Sequence, residues 1–216
     1  MKYKILFKEC LRGKSLLRTL HNIYLKDMKF EGHGVDFGAK DATSSYYRFL
    51  ILDRQNMTFT DLYSNNKAMV KSIDFENEFD LSDEKFDYAL AFNLLEHIYN
   101  HKKFLANLNR SLKEDGVVEG FIPFMHYYHA DPNDYFRYTH QAVQKILSDS
   151  GFSDIKITKI GVGGFTVSAN MLSRIFKFKP LIFIIWCFSL WMDKILSKFW
   201  KVNDNIYCGL AFSAKK

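Results

Sequence analysis

Apolar and polar positions follow two rhythms along this chain, and both are clearest between Lys85 and Phe124. Phe86 to Phe92 (FDYALAF) is an almost unbroken apolar run, as expected of a strand buried on both faces of a sheet. From Ile98 to Leu112 the spacing changes. Ile98, Phe104, Leu105, Leu108 and Leu112 recur at helical intervals, with Lys102, Lys103, Asn107 and Arg110 among the polar positions. Gly116 is expected to stop that helix, and Val117 to Phe124 to resume as a strand. Two apolar strands joined by an amphipathic helix make a parallel βαβ unit with a right-handed crossover. In such sheets ligands sit beyond the carboxyl ends of the strands, so Asn93 to His97 and Phe124 to Asp134 should border a site.

The same rhythms organise the flanks. Leu6, Cys10, Leu17, Leu20 and Tyr24 lie near helical spacing, interrupted by Gly13, which predicts one or two amphipathic helices ahead of the sheet. Residues 33–37 read as a short strand followed by a turn, and Thr43 or Ser44 should cap a helix carrying Tyr46, Tyr47, Phe49 and Leu50. Strands are expected at Met57–Thr60, Val70–Asp74, Asp154–Ile160 and Ile206–Ala214, with a helix from about His140 to Asp149 ended by Gly151. The alternation of strands and helices from 33 to 160 indicates an α/β fold with a mainly parallel sheet. One domain over 1–216 is expected, with an N-terminal helical cap (1–30) and a hydrophobic helical insertion (165–203) before the last strand.

That insertion holds the apolar run Leu181 to Met192 (LIFIIWCFSLWM), too short to span a bilayer as a helix. Trp186, Trp191 and Trp200, with Lys177, Lys179, Lys194, Lys198 and Lys201 nearby, have the composition of a segment lying in a membrane interface. A lid or dimer face covered by protein is the competing reading. Charge sharpens the picture. The net +6 hides an asymmetry: residues 1–30 carry eight Lys/Arg against two acids, 171–216 carry the same, and the middle is acidic. Basic ends around an acidic middle suit an anionic membrane surface met through 171–202, although solvated surface lysines give the same count. They do not suit a nucleic-acid binder. Three distant cysteines and the lack of a long apolar leader point to a cytoplasmic protein, peripheral on the inner face of the membrane if the insertion binds there.

The series GVDFGAK (34–40), FTDLY (59–63), SIDF (72–75), FDYALAFNLLEHI (86–98), LNRSLKEDGVV (108–118) and RYTHQAVQKILSDSGFSDIKI (137–157) resembles the class I S-adenosylmethionine-dependent methyltransferases. The resemblance covers roughly 30 to 160 plus the final strand. It implies a Rossmann-like seven-stranded sheet, mainly parallel, with helices on both faces and an antiparallel last strand. It also implies S-adenosylmethionine as cofactor. The glycine-bearing turn after the first strand, Asp36, Gly38 and Ala39, would approach the methionine part. Asp61 with Leu62 would hold the ribose, Ile73 and Asp74 the adenine, and Asn93 would face the transferred methyl group. Glu96 and His97 are expected to support the strand-to-helix turn. Lys40 departs from the family, which usually has a second glycine there. It either crowds the cofactor, turns outward or reaches the cofactor carboxylate.

The loop from Pro123 to Tyr138 is the expected substrate contact. His129, Pro132, Asp134, Arg137, Tyr138 and Thr139 match an H-x-x-P-x-D-x-x-R-[YF]-T stretch of related methyltransferases. His129, then His126, is the candidate base for a hydroxyl undergoing methylation. Tyr128, Asp131, Asp134 and Arg137 are candidate substrate contacts, with an Asp134–Arg137 ion pair and a Thr139 cap as the structural alternative. His126-x-x-His129-x-Asp131 lacks a further fixed ligand, so no metal is expected. A lone Gly38 does not make a dinucleotide fingerprint, and there is no G-x-S-x-G elbow. The expected activity is O-methylation of a small or lipid-linked molecule such as a surface-glycan intermediate. The alternative is a non-catalytic subunit of the same fold attached to a membrane.

Overall fold

The computed structural model describes residues 2–40, 42–63, 65, 68–77, 79, 81 and 85–216. Seven strands, β1 (Gly34–Phe37), β2 (Met57–Asp61), β3 (Val70–Ser72), β4 (Phe86–Phe92), β5 (Leu112–Pro123), β6 (Ser153–Val162) and β7 (Tyr207–Lys215), form one sheet in the order β3-β2-β1-β4-β5-β7-β6. The pairs β1–β2, β1–β4, β2–β3 and β4–β5 are parallel. The last strand is reversed. Lys216 N–H donates to the Gly116 carbonyl while Phe124 N–H donates to that of Cys208, so β7 runs against β5. The Rossmann-like methyltransferase topology expected from the sequence is the one observed.

The chain packs as two compact units. The larger comprises Asp27–Ile122, His129–Thr158 and Ala211–Lys216. It holds β1 to β4 and the helices α3 (His101–Ser111) and α4 (His140–Asp149). Its core is partly aromatic: Phe37, Phe75, Phe79 and Phe104 interlock, with the Phe37 and Phe104 rings perpendicular at 5.5 Å. Each such pair adds about 0.5–1.5 kcal/mol beyond simple burial. Thr139 caps α4 by accepting from Ala142 N–H, as its position predicts.

The smaller unit comprises Met1–Lys26, Pro123–Tyr128 and Lys159–Leu210. It contains α1 (Lys2–Leu11), α2 (Leu16–Tyr24), α5 (Gly164–Leu172) and α6 (Lys179–Leu196). Ser15 caps α2 through the Arg18 N–H, and Trp186 is buried in the core, its indole N–H donating to Ser173 Oγ at 2.6 Å. No helix among the described residues is long and apolar enough to cross a membrane.

Three local expectations are corrected. The helix after β4 starts at His101, three residues beyond Ile98, because Leu95–His97 forms a separate 3₁₀ turn. It ends at Ser111, not at Gly116, which lies inside β5. Leu112 already pairs with Phe86, and the register then jumps so that Tyr88 faces Val117; a bulge with Asp115 at φ 63° absorbs the residues between. The segment carrying the two tyrosines is only a 3₁₀ turn, Ser45–Arg48, with Ser44 at the cap position making no side-chain capping bond and Phe49 and Leu50 beyond it.

Candidate cofactor and catalytic site

Parallel register brings the strand tips of the larger unit together. Phe37 at the end of β1 is level with Thr60 of β2 and Ala91 of β4, so Gly38, Asp61 and Asn93 leave the sheet at neighbouring positions. Gly38 and Ala39 both donate backbone N–H groups to the Thr60 carbonyl, at 2.9 and 3.0 Å. Gly38 has φ 77°, and a Cβ there would lie 3.1 Å from Leu94, so the turn needs glycine for its conformation and has little spare space on that side. Ala39 buries its methyl group against Ala42, Phe59 and Val70.

Lys40 adopts the left-handed backbone that glycine would supply, with φ 54°. Its N–H donates to Asp61 Oδ2 at 2.7 Å. The side chain turns outward, its Nζ 3.9 Å from Asp131, both groups well exposed. The long cation therefore does not lie in the turn. Asp61 also accepts the Tyr63 N–H on Oδ1 at 3.2 Å, and each carboxylate oxygen keeps a lone pair for a further donor. Ser72 Oγ donates to the Leu62 carbonyl, and Ile73 N–H donates to that of Asp61, which brings half-buried Ile73 beside the ribose candidate. Asp74 is exposed and its carboxylate holds its own turn, accepting from Glu76 N–H and the Asn77 amide.

Two buried polar atoms at these tips have no protein partner among the described residues. Asp36, fully buried, accepts the Tyr46 hydroxyl (2.6 Å) and the Tyr47 hydroxyl on Oδ2, while Oδ1 is unpaired. Burial pushes its carboxyl up to about 7 against the pull of the two hydroxyls. Asn93, at φ 54°, leaves its side-chain Nδ2 unpaired. Buried polar groups are rarely left so, and an ordered water, an ion or a ligand is what such atoms meet.

The loop after β5 supplies the second half of the site. Tyr135 and Phe136 donate N–H groups to the Glu96 carbonyl at 2.8 and 3.3 Å, docking the loop onto the Leu95–His97 turn. Asp134 accepts both guanidinium nitrogens of Arg137 and the His129 N–H. Arg137 holds the Asp134 carboxyl well below the usual carboxylate range. These two are thus committed to each other, in the structural arrangement weighed above. His129, partly exposed, has Nδ1 3.3 Å from Asp134 Oδ2 and Nε2 3.6 Å from Glu96 Oε1. Glu96 itself is fully buried, with neither side-chain oxygen hydrogen-bonded among the described residues. His97 completes the group, its Nε2 3.7 Å from Glu96 and its Nδ1 on the Asn133 carbonyl.

Glu96 and His97 lie in the strand-to-helix turn, as expected, and their side chains also approach His129. Their signal is the joint presence of L-E-H and the later H-x-x-P-x-D-x-x-R stretch, because one motif docks on the other. Glu96, His97 and His129 each offer one ligand atom, all within 4.8 Å of one another, and two imidazoles with a carboxylate are a donor set that can hold a divalent cation. His126 lies in the smaller unit, with Nδ1 3.3 Å from the Asn170 amide and its ring against Tyr127; Tyr128 is largely exposed.

A family model described as a methyltransferase domain matches residues 16–155. No curated protein matches the sequence. Among solved structures, an S-adenosylmethionine-dependent methyltransferase from Archaeoglobus fulgidus is 16% identical, with 99% of this chain and 100% of that chain covered and a TM-score of 0.56. One from Mesorhizobium loti is 11% identical over 93% and 98%, TM-score 0.58. Phosphoethanolamine N-methyltransferase 2 from Haemonchus contortus, solved with S-adenosyl-L-methionine, is 18% identical, TM-score 0.51; 91% of this chain is covered, which spans about half (52%) of that enzyme's length. The residues present fit such a cofactor: a glycine turn free of side chain, a carboxylate with spare lone pairs, and two orphaned buried polar atoms at one set of strand tips. The chain belongs to the methyltransferase-domain family, the class I S-adenosylmethionine-dependent methyltransferases.

Proposed function

We propose that the protein O-methylates a hydroxyl of a small or lipid-linked molecule, such as a surface-glycan intermediate, with His129 as the base. The observation that carries this is the His129 imidazole held between the Asp134 and Glu96 carboxylates beside the cofactor-side strand tips. S-adenosylmethionine supplies an activated methyl group, so the protein's work is positioning and proton removal. Asp61 and the Gly38 turn hold the nucleoside and methionine ends, Ile73 lies along the adenine, and Asn93 faces the methyl group. His129 would accept the hydroxyl proton as the acceptor oxygen bonds to the methyl carbon and that carbon's bond to the cofactor sulfur breaks, leaving S-adenosylhomocysteine, and Glu96 would stabilise the resulting imidazolium. Asp131, exposed, is the substrate contact left in this unit once Asp134 and Arg137 are taken up by each other.

The smaller unit is proposed to rest on an anionic membrane surface, where lipid-linked acceptors are held. Its supports are the basic chain ends and a row of exposed apolar side chains on α6: Ile184, Phe188 and Trp191. Calorimetry with S-adenosylhomocysteine, followed by methyl transfer to hydroxyl-bearing and hydroxyl-blocked glycan acceptors, tests the reading. Saturable cofactor binding with transfer only to free hydroxyls is expected. An absence of cofactor binding would turn the assignment to a non-catalytic, membrane-attached subunit.

A further inference from the structure

The smaller unit has a cleft of about 410 Å³ that the cofactor reading does not use. Three segments build it: the α1–α2 turn, the link from α5 into α6, and the stretch around Tyr127. Each of the first two contributes two cations, Lys14 and Arg18 from the turn, Arg174 and Lys179 from the link, and no acidic side chain lines the cleft. Lys14, Arg174 and Lys179 have no carboxylate partner among the described residues. The arrangement is built rather than incidental. Arg174 lies flat over the Tyr127 ring, 3.9 Å from its centroid, with one guanidinium nitrogen donating to the Tyr127 hydroxyl. Lys179 is fixed at the start of α6, where its carbonyl accepts the Cys10 thiol, and its ammonium lies against Gly13. Ser15 and Asn170 are committed to the α2 N-terminus, through the Arg18 and Leu17 N–H groups. Buried Trp186 lines the cleft from the core.

Gathering cations without an acid raises the energy of the empty cleft, by about 1 kcal/mol for each close pair in water and more where walls exclude solvent. An anion with several acceptor oxygens reverses that sign. Arginine and lysine together are the usual donors to phosphate, the first in a planar fork, the second as a point charge. The volume is that of a small-molecule site, larger than a lone inorganic anion needs. Phe176 lines the same cleft, and Ile175 and Phe178 beside it are 73% and 67% exposed. A phosphate entering there would arrive with apolar groups next to it.

We propose that this cleft binds a phosphate-bearing group, with the headgroup of an anionic lipid as its source. The choice of lipid rests on the membrane reading above; the phosphate site does not. Two probes separate them: calorimetry with inorganic pyrophosphate, and flotation with phosphatidylcholine vesicles with and without phosphatidylglycerol. Two triple variants of the full chain are compared with the parent. One, Lys14→Gln/Arg174→Gln/Lys179→Gln, empties the cleft of three cations. The other, Lys102→Gln/Lys145→Gln/Lys156→Gln, removes as much charge at exposed positions outside the cleft and outside the segments placed at the membrane. Matching thermal melts establish that both fold. The cleft variant is expected to lose about tenfold or more in affinity for phosphatidylglycerol vesicles, and its pyrophosphate heat, while the control variant loses far less. Pyrophosphate binding that depends on the cleft, without vesicle binding, would keep the phosphate site, assign it to a soluble phosphate and end the membrane reading. Equal behaviour of the two variants toward both probes would overturn the proposal, because net charge would then suffice.

Discussion

The two units solve opposite problems with the same amino acids. In the larger unit, polar groups go inside and are left wanting: Asp36 Oδ1, Asn93 Nδ2 and both oxygens of Glu96 are buried without hydrogen-bond partners among the described residues. In the smaller unit, a buried carboxylate is fully used. Asp193 of α6 accepts the Phe165 and Thr166 N–H groups at the start of α5 and the Asn203 amide, in a space so close that a Cβ on Gly163 would fall about 2 Å from it. The smaller unit also buries Thr166 Oγ1 without a hydrogen-bond partner among the described residues, but what it leaves open is chiefly apolar. Among the described residues, most of the exposed large hydrophobic side chains lie there, including Ile184, Phe188, Trp191, Phe199 and Trp200. Unpaired polar atoms gathered at one set of strand tips suit a polar ligand, whereas exposed apolar area suits an apolar one.

The largest expected effect tests the catalytic side of this contrast. His129→Ala should lower turnover by about 10²–10⁴ while leaving S-adenosylhomocysteine affinity nearly unchanged. Glu96→Gln should show a smaller loss and a shifted pH–rate profile, read from initial rates across pH 5–9. Loss of cofactor binding in His129→Ala, with the melt preserved, would move His129 from the reaction to the cofactor. Adding and chelating Mn²⁺ or Zn²⁺ in the same assay shows whether the Glu96, His97 and His129 set works with a cation.

Asp36 gives the next effect, and its sign is fixed by burial. A carboxyl raised from 3.8 to about 7 in the folded chain is favoured when protonated. Its contribution to stability is therefore whole below about pH 4 and lost as pH climbs toward 7, on the order of 4 kcal/mol in all. Asp36→Asn should flatten that part of the stability profile in urea titrations at stepped pH. The difference between parent and variant isolates Asp36 from Asp134, whose depressed carboxyl works in the reverse sense and at lower pH. A difference that stays constant between pH 4 and 7 would show that the carboxyl is not held protonated.

Asp61→Ala comes third, with an expected loss of about 2–3 kcal/mol in cofactor binding from charge-assisted bonds to ribose hydroxyls. The Lys40 N–H loses its acceptor in the same variant, so Asp61→Asn, which keeps an acceptor oxygen, separates the turn's integrity from ribose binding.

Much of this contrast was legible in advance. The strands followed from apolar runs broken by Gly38, Asp61 and Asn93, because a buried parallel strand has a distinctive composition, whereas the seven-stranded arrangement and the roles of the tip residues came only with the resemblance to the methyltransferases. Gly116 misled because a glycine after a helical run reads as a stop, whereas here Leu112 had already turned into the sheet and the glycine serves the bulge. The approach of Glu96 to His129 was not legible for a different reason. The burial of Glu96 depends on a loop about forty residues later folding over it, and local periodicity carries no information about that contact. Trp186 and Trp191 look alike in sequence, five positions apart; one is buried at 1% exposure and the other is 53% exposed.

That last difference decides how the membrane reading is best broken. Replacing Trp186 would open the smaller unit's core and free the Ser173 hydroxyl, so lost vesicle binding would report misfolding as readily as a lost contact. Phe188→Ser/Trp191→Ser instead removes two side chains that are each about half exposed and belong to the apolar face of α6. The fold should hold, with a melting temperature within a few degrees of the parent. Affinity for phosphatidylglycerol vesicles should fall by about 1–3 kcal/mol, the worth of two aromatic groups leaving the interface. S-adenosylhomocysteine binding, which depends on strand tips in the other unit, should not change. If vesicle affinity is also unchanged, α6 faces something other than lipid, and a shift in sedimentation between parent and variant would identify that something as a second copy of the chain.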